Sequence, residues 1–123
     1  MQKINWSKIN HFKQDNFMCP CGCGLNIINP QLVKTIDIVR DEYGYPIYLS
    51  SACRCAKHNL EIDGKKDSSH LLGYALDIKV YNSTDRYGLL PILFKYFKRI
   101  GVAHRFIHVD LDPEKDQKVL WTY

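Results

Sequence analysis

Two short stretches of strict alternation limit what this chain can fold into. Tyr74, Leu76, Ile78 and Val80 alternate with Ala75, Asp77 and Lys79, and Ile107, Val109 and Leu111 alternate with His108 and Asp110. A period of two marks a β-strand with one buried face. The apolar sets must turn toward a core, which leaves Asp77, His108 and Asp110 together on the other side of a sheet. A sheet face that gathers two carboxylates and an imidazole is a place to look for chemistry.

The segments around these strands supply their cover. Asn29-Pro30 reads as an N-cap followed by proline in the first helical turn. Leu32, Val33, Ile36, Val39 and Tyr43 then recur at helical spacing up to a stop at Gly44. Pro46–Ser51 predicts a short strand with Ile47 and Leu49 on one side, Lys57–Glu61 a turn of helix, and Gly64–Ser69 a polar loop. Ser83 is the expected N-cap of a second helix running to about Arg99 and ended by Gly101. Tyr87, Leu90, Phe94 and Phe97 form its stripe, and Pro91 kinks it or delays its start. Lys95, Lys98 and Arg99 read as its wet face, and Trp121 and Tyr123 in the tail as packing residues. The expected fold class is α+β: a small, mostly antiparallel sheet with helices on one face and Asp77, His108 and Asp110 on the other.

At 123 residues, with no internal repeat or linker, the chain reads as one domain, 1–123. A domain of this length buries roughly two-thirds of its unfolded surface, so it needs neither disulfides nor partners, and a monomer is expected. A composition of 46% hydrophobic and 24% charged residues excludes a disordered tail or a collagen-like rod. No apolar run is long enough to span a bilayer. The opening residues carry no continuous apolar core of a secretory signal. The expectation is a chain that stays where it is made or leaves by another route. A net charge of +4 favours encounter with anionic polymers (nucleic acid, phospholipid surfaces, acidic wall glycopolymers) without choosing among them. The aromatic residues sit at core-like spacings rather than between basic ones, which argues against nucleic acid as the partner.

The five cysteines fall in two clusters, Cys19, Cys21 and Cys23 in MCPCGCG, and Cys53 and Cys55 around Arg54. An odd count argues against a complete disulfide framework. The C-x-C spacing is neither the C-x-x-C of a redox pair nor that of the usual zinc ribbon. A metal site and a bridge between clusters both stay open, with reduced structural cysteines as the default in a chain lacking an export signal.

His70 stands at the mouth of the strand that carries Asp77, and a tight turn at Gly73 can bring its imidazole back over the sheet. Ala75 leaves room beside them, and His108 points the same way from a neighbouring strand. His70, Asp77 and His108 are a three-ligand set for Zn²⁺ with the fourth position open, as catalytic zinc requires. One Zn²⁺ per chain is expected.

S-x-H-x-x-G-x-A-x-D over 68–77, followed by the strand-borne H-V-D of 108–110, resembles the zinc D-Ala-D-Ala carboxypeptidases and peptidoglycan endopeptidases. That superfamily includes phage endolysins and shares its fold with the signalling domain of hedgehog proteins. HFKQDNFMCPCGCG, YLSSACRCAKHN and FIHVDLDPEKDQKVLW are similar, in order, to the remaining elements of its short single-domain branch. The resemblance implies His70, Asp77 and His108 as zinc ligands. It implies Arg54 as the arginine that holds a substrate carboxylate or polarises the scissile carbonyl, with Ser68 beside it in substrate binding. It also implies peptidoglycan peptides containing D-residues as substrate, and work at the cell wall, whether exported or phage-delivered. A module of the same fold that binds wall peptides or a protein partner without turnover is the alternative.

The chain departs from the family pattern in two places. Ser51-Ala52-Cys53-Arg54 stands for Ser-Gly-Tyr-Arg, and Arg105 and Phe106 occupy positions where several members carry a base or a second His. Asp110 is then the first candidate to activate water, or else a residue that orients His108, and His104 is the second candidate.

Overall fold

The computed structural model describes residues 3–123. Helix α1 (Pro30–Tyr43) forms as the sequence predicts. The Asn29 side chain accepts hydrogen bonds from the Gln31 and Leu32 amides, and Gly44 closes the helix in the left-handed region at φ 78°. Strand β1 (Leu49–Ser51) is shorter than Pro46–Ser51, and α2 (Ala56–Glu61) starts one residue early. The polar loop ends in a single 3₁₀ turn, Ser69–Leu72, before β2 (Ala75–Lys79).

Helix α3 (Ser83–Tyr96) is capped by Asn82, not Ser83, and ends three residues before Arg99. It passes through Pro91 without a late start. The carbonyl four residues back belongs to Tyr87, which is 83% exposed, so water can replace the missing donor. The apolar face differs from the expected stripe. Leu89, Leu93 and Phe97 are buried, whereas Tyr87 and Phe94 face solvent. This helix is apolar on nearly every side, so its own periodicity selects no face and packing against α1 decides.

The chain continues into β3 (Arg99–Val102), β4 (Phe106–Asp110) and β5 (Val119–Thr122). Neither β3 nor β5 is expected from alternation, and Arg99 belongs to β3 rather than to a helix face. The sheet order is β1-β2-β4-β3-β5, antiparallel throughout except for the parallel β3–β5 pair. Leu76, Ile78, Ile107 and Val109 of the central strands meet Leu32, Val33, Ile36 and Val39 of α1 and Leu89 and Leu93 of α3 in one buried cluster. The other sheet face stays free for the site. No helix among the described residues is long and apolar enough to cross a membrane.

The N-terminal segment belongs to the same core. Phe12 and Phe17 are buried, with ring centroids 5.7 Å apart, and Trp6 lies 5.7 Å from Phe17. Its anchor is Asp37 on α1, whose two carboxylate oxygens accept the Asn10 and His11 amides at 3.0 and 2.9 Å. A buried carboxylate bonded to two amides holds a segment that has no sheet partner of its own. Asp37→Ala should therefore cost about 1–3 kcal/mol in chemical denaturation, and amide exchange should rise first around residues 9–12.

Candidate metal centre

The register of the sheet assembles the site. Ser51 pairs with Asp77, Asp77 with His108, His108 with Gly101, and Gly101 with Trp121, so one row crosses all five strands. Directly paired residues project to the same face. His70 joins from outside the sheet. Its 3₁₀ turn is capped by the Ser68 hydroxyl, which accepts the His70 amide at 3.2 Å, and ends at Gly73, left-handed at φ 73°. A β-carbon at Gly73 would lie 2.4 Å from the Ile27 carbonyl oxygen, so both the turn and the close approach require glycine.

His70, Asp77 and His108 are all buried and offer one ligand atom each, mutually within 4.8 Å. Asp77 Oδ1 lies 3.2 Å from His70 Nε2 and 3.0 Å from His108 Nδ1. The remaining ring nitrogens are already committed. His70 Nδ1 donates to the Ala52 carbonyl at 2.6 Å, which can only accept. His108 Nε2 donates to Asp110 Oδ2 at 2.7 Å. In their neutral forms both imidazoles are thereby held in tautomers whose free lone pairs converge on one carboxylate oxygen. Three acceptors this close repel one another unless a proton or a cation lies among them, so in that form they are complementary to a cation. The residues present fit a bound metal.

Without an ion, the same carboxylate oxygens draw protons in its place. Burial raises the Asp77 carboxyl, but His108 and His70 outweigh it and hold the group well below the usual carboxylate range. Burial lowers the His108 imidazole, but Asp110 and Asp77 outweigh it and hold it above its ordinary value. Asp110 is opposed by burial and held below its ordinary value chiefly by His108.

Around the trio, each side chain is braced by another. Asp77 Oδ2 accepts from Arg54 Nη2 at 3.3 Å. Arg54 also donates to the Ser51 hydroxyl at 3.0 Å, to Asn59 Oδ1 at 3.2 Å and to the Ser68 hydroxyl at 3.5 Å. Asp110 is 1% exposed, and its second oxygen accepts Arg99 Nε at 2.7 Å and the Asp112 amide at 3.1 Å. Asp112 accepts the Ser69 hydroxyl at 2.7 Å, which ties the end of β4 back to the turn carrying His70. Arg99 lies over the Trp121 ring, 5.0 Å from its centroid, and that ring is 5.4 Å from His108. A β-carbon on Gly101 would come within 2.4 Å of Trp121 Nε1, so only glycine lets the indole lie across β3.

The trio opens on a cleft of about 490 Å³. Arg54, Ser68, His70, Asp77, His108 and Asp110 all border it. Exposed His104, in the turn between β3 and β4, is not among its lining residues. Half-buried Trp121 and exposed Tyr123 border the cleft as well, so these tail residues form site wall rather than core packing.

A family model described as Peptidase M15 matches residues 10–110, a span that contains His70, Asp77 and His108 and both of their main braces, Arg54 and Asp110. The chain belongs to the Peptidase M15 family. Its α+β architecture is compatible with that membership, which supports a peptidase, and the converging trio supports one that uses a metal. No curated protein matches the chain.

Sequence reasoning misses Arg99, Asn59, Asp112 and the tail aromatics as parts of this site. Asn59 had a signal, being the last residue of the YLSSACRCAKHN stretch that resembles the family. Arg99 had none, because a short strand after a helix reads as the helix's last turn.

If Asp110 acts by fixing His108, Asp110→Asn should lower affinity for a divalent ion about 10–100-fold, read by competition with a chromophoric chelator. The far-ultraviolet circular dichroism should stay unchanged.

Proposed function

We propose that this chain is a zinc-dependent peptidase that hydrolyses peptide bonds in the stem peptides or cross-links of peptidoglycan, acting on D-Ala-containing substrates at the cell wall. The observation that carries the reading is the convergence of two tautomer-fixed imidazoles and one carboxylate beside Arg54 in an open cleft. His70, Asp77 and His108 would hold the zinc, which would supply Lewis acidity and a water nucleophile near neutral pH.

The chain's own residues do the rest. Arg54 presents a guanidinium at the cleft wall, pulled below its ordinary pKa by burial and supported by Asp77, yet always charged. Its planar fork can pair with a substrate carboxylate or with the oxygen that becomes negative as the carbonyl turns tetrahedral. Ser51, Asn59 and Ser68 hold that fork in place, so Ser68 serves the substrate side through Arg54 and the turn of His70. Lys65 and Lys115 also border the cleft and add positive charge where a peptide C-terminus would enter.

Asp110 takes the second of the two roles open to it. Both oxygens are engaged by His108, Arg99 and the Asp112 amide, so it is a positioning residue for His108 rather than the group that takes a proton from water.

The same observation favours a second reading, a wall-peptide binding module of this fold without turnover. Asp77 and Asp110, the carboxylates nearest the converging imidazoles, are both fully engaged.

One preparation tests both readings: zinc content and release of new amino termini from purified peptidoglycan, with wild type beside His70→Ala and Arg54→Ala. His70→Ala should lose its zinc at this centre together with all release. Arg54→Ala should keep the zinc and lose about 10²–10³-fold in kcat/KM, with Arg54→Lys restoring only part of it. Zinc-loaded wild type that binds wall peptides but frees no amino termini would establish the binding module instead.

A further inference from the structure

A second constellation lies apart from the cleft. Cys19, Cys21, Cys23 and Cys55 bring their sulfurs within 4.8 Å of one another. Cys21 Sγ is 3.5 Å from Cys19 Sγ and 3.6 Å from Cys55 Sγ. Four sulfurs placed tetrahedrally around an ion at ~2.3 Å would be separated by roughly 3.8 Å, the edge of that tetrahedron. All five cysteines are free thiols. The fifth, Cys53, is buried and gives its thiol to the Leu25 carbonyl at 3.4 Å, outside the group.

Backbone amides are aimed at the clustered sulfurs. The Cys55 amide donates to Cys19 Sγ at 3.4 Å, the Leu25 amide to Cys23 Sγ at 3.4 Å, and the His58 amide to Cys55 Sγ at 3.3 Å. Donors directed at sulfur stabilise thiolate charge. The loop is shaped for this. Gly22 and Gly24 turn it through the left-handed region at φ 85° and 84°, and the Cys19 amide closes it on the Leu25 carbonyl at 2.9 Å.

We infer that Cys19, Cys21, Cys23 and Cys55 form a second metal site, a closed tetrathiolate for a soft divalent ion, zinc foremost, with a structural role. On binding, four thiols lose four protons to solvent and the ion takes four Zn–S bonds, with no change of oxidation state. Four protein ligands leave no open position, so the ion does no chemistry on substrate. It fastens the N-terminal loop to the turn between β1 and α2. That turn carries Arg54, flanked by Cys53 and Cys55, and its Arg54 amide donates to the His70 carbonyl at 3.1 Å. The ion would hold in place the backbone on which the cleft's guanidinium is mounted. The chain would then take two zinc ions rather than one.

The test is metal stoichiometry on the intact protein by native mass spectrometry and elemental analysis. It is paired with cobalt loading, read by its thiolate charge-transfer absorption, and with cadmium-113 resonance. Wild type should hold two zinc ions. His70→Ala should keep one, and its cobalt form should retain the full charge-transfer band. Cys21→Ser and Cys23→Ser, both at exposed positions, should lose one ion and most of that band. Should either variant fail to fold, the cobalt and cadmium spectra of the wild type decide alone, a tetrathiolate resonance far downfield being expected. Wild type that shows no charge-transfer band overturns the inference, as does an intact mass revealing disulfides among the four. So does ready reaction of all four thiols with a disulfide reagent in the zinc-loaded protein. A protein that shows the thiolate-bound ion yet loses no metal in His70→Ala would leave this site standing and remove the His–Asp–His centre.

Discussion

The pairing of Asp77 with His108 across β2 and β4 is the contact on which the rest of the site depends. It places a carboxylate oxygen 3.0 Å from an imidazole nitrogen at the centre of a sheet, where both are buried. Such a pair is costly without further partners, because burying charge is tolerated only with compensation. Every neighbouring choice supplies it. Arg54 takes the second oxygen of Asp77, and Asp110 fixes the far side of His108. A one-residue slip of β4 would turn His108 and Asp110 into the core and Ile107 and Val109 out of it. The apolar face that packs on α1 and α3 therefore enforces the register that the polar face needs.

Beyond that row, the bracing runs outward in two chains. One leads from Asp110 through Arg99 to Trp121, and the other from Asp112 through Ser69 to the turn of His70. The first ends on the tail beyond β4, and the second joins the end of β4 to a turn far from it in sequence. The parallel strand β5 matters here because it brings the tail beside β3, and Gly101 gives the indole its seat. A cleft wall made from the last residues of the chain makes the geometry of His108 depend on the whole fold being closed. Metal binding should accordingly be coupled to folding, since no unfolded chain presents these atoms together.

What could be read from the residues was the part governed by short periods. Alternation gave β2 and β4 and the shared face of Asp77, His108 and Asp110. Capping chemistry gave α1 from Asn29 to Gly44, as the hydrogen bonds of Asn29 bear out. Strands β3 and β5 escaped because each is four residues long and owes its existence to a partner. Local sequence therefore puts Arg99 on a helix face, and Trp121 and Tyr123 in a packed tail. The stripe of α3 failed for the opposite reason, since a helix apolar on nearly all sides offers several stripes and only packing selects one. The thiol cluster was legible as two groups of cysteines, yet nothing local in C-x-C-x-C says that Cys55 closes on it while Cys53 turns away into the core.

The two constellations also differ in the charge they would give an ion, and this separates their roles. Around the cleft, Asp77, Asp110 and Asp112 are matched by Arg54, Arg99 and Lys115, through contacts of 3.3, 2.7 and 3.8 Å. With neutral imidazoles the protein's own charges there balance, so a divalent ion would keep most of its field for what enters the cleft. That is the condition for an electrophile. Four thiolates would instead overcompensate the same ion and enclose it, leaving neither charge nor coordination site for a substrate. A shared metal in this chain would be reactive where histidines hold it and inert where cysteines do. Arg54 sits between the two, paired with a carboxylate of the first and mounted on backbone next to a thiol of the second.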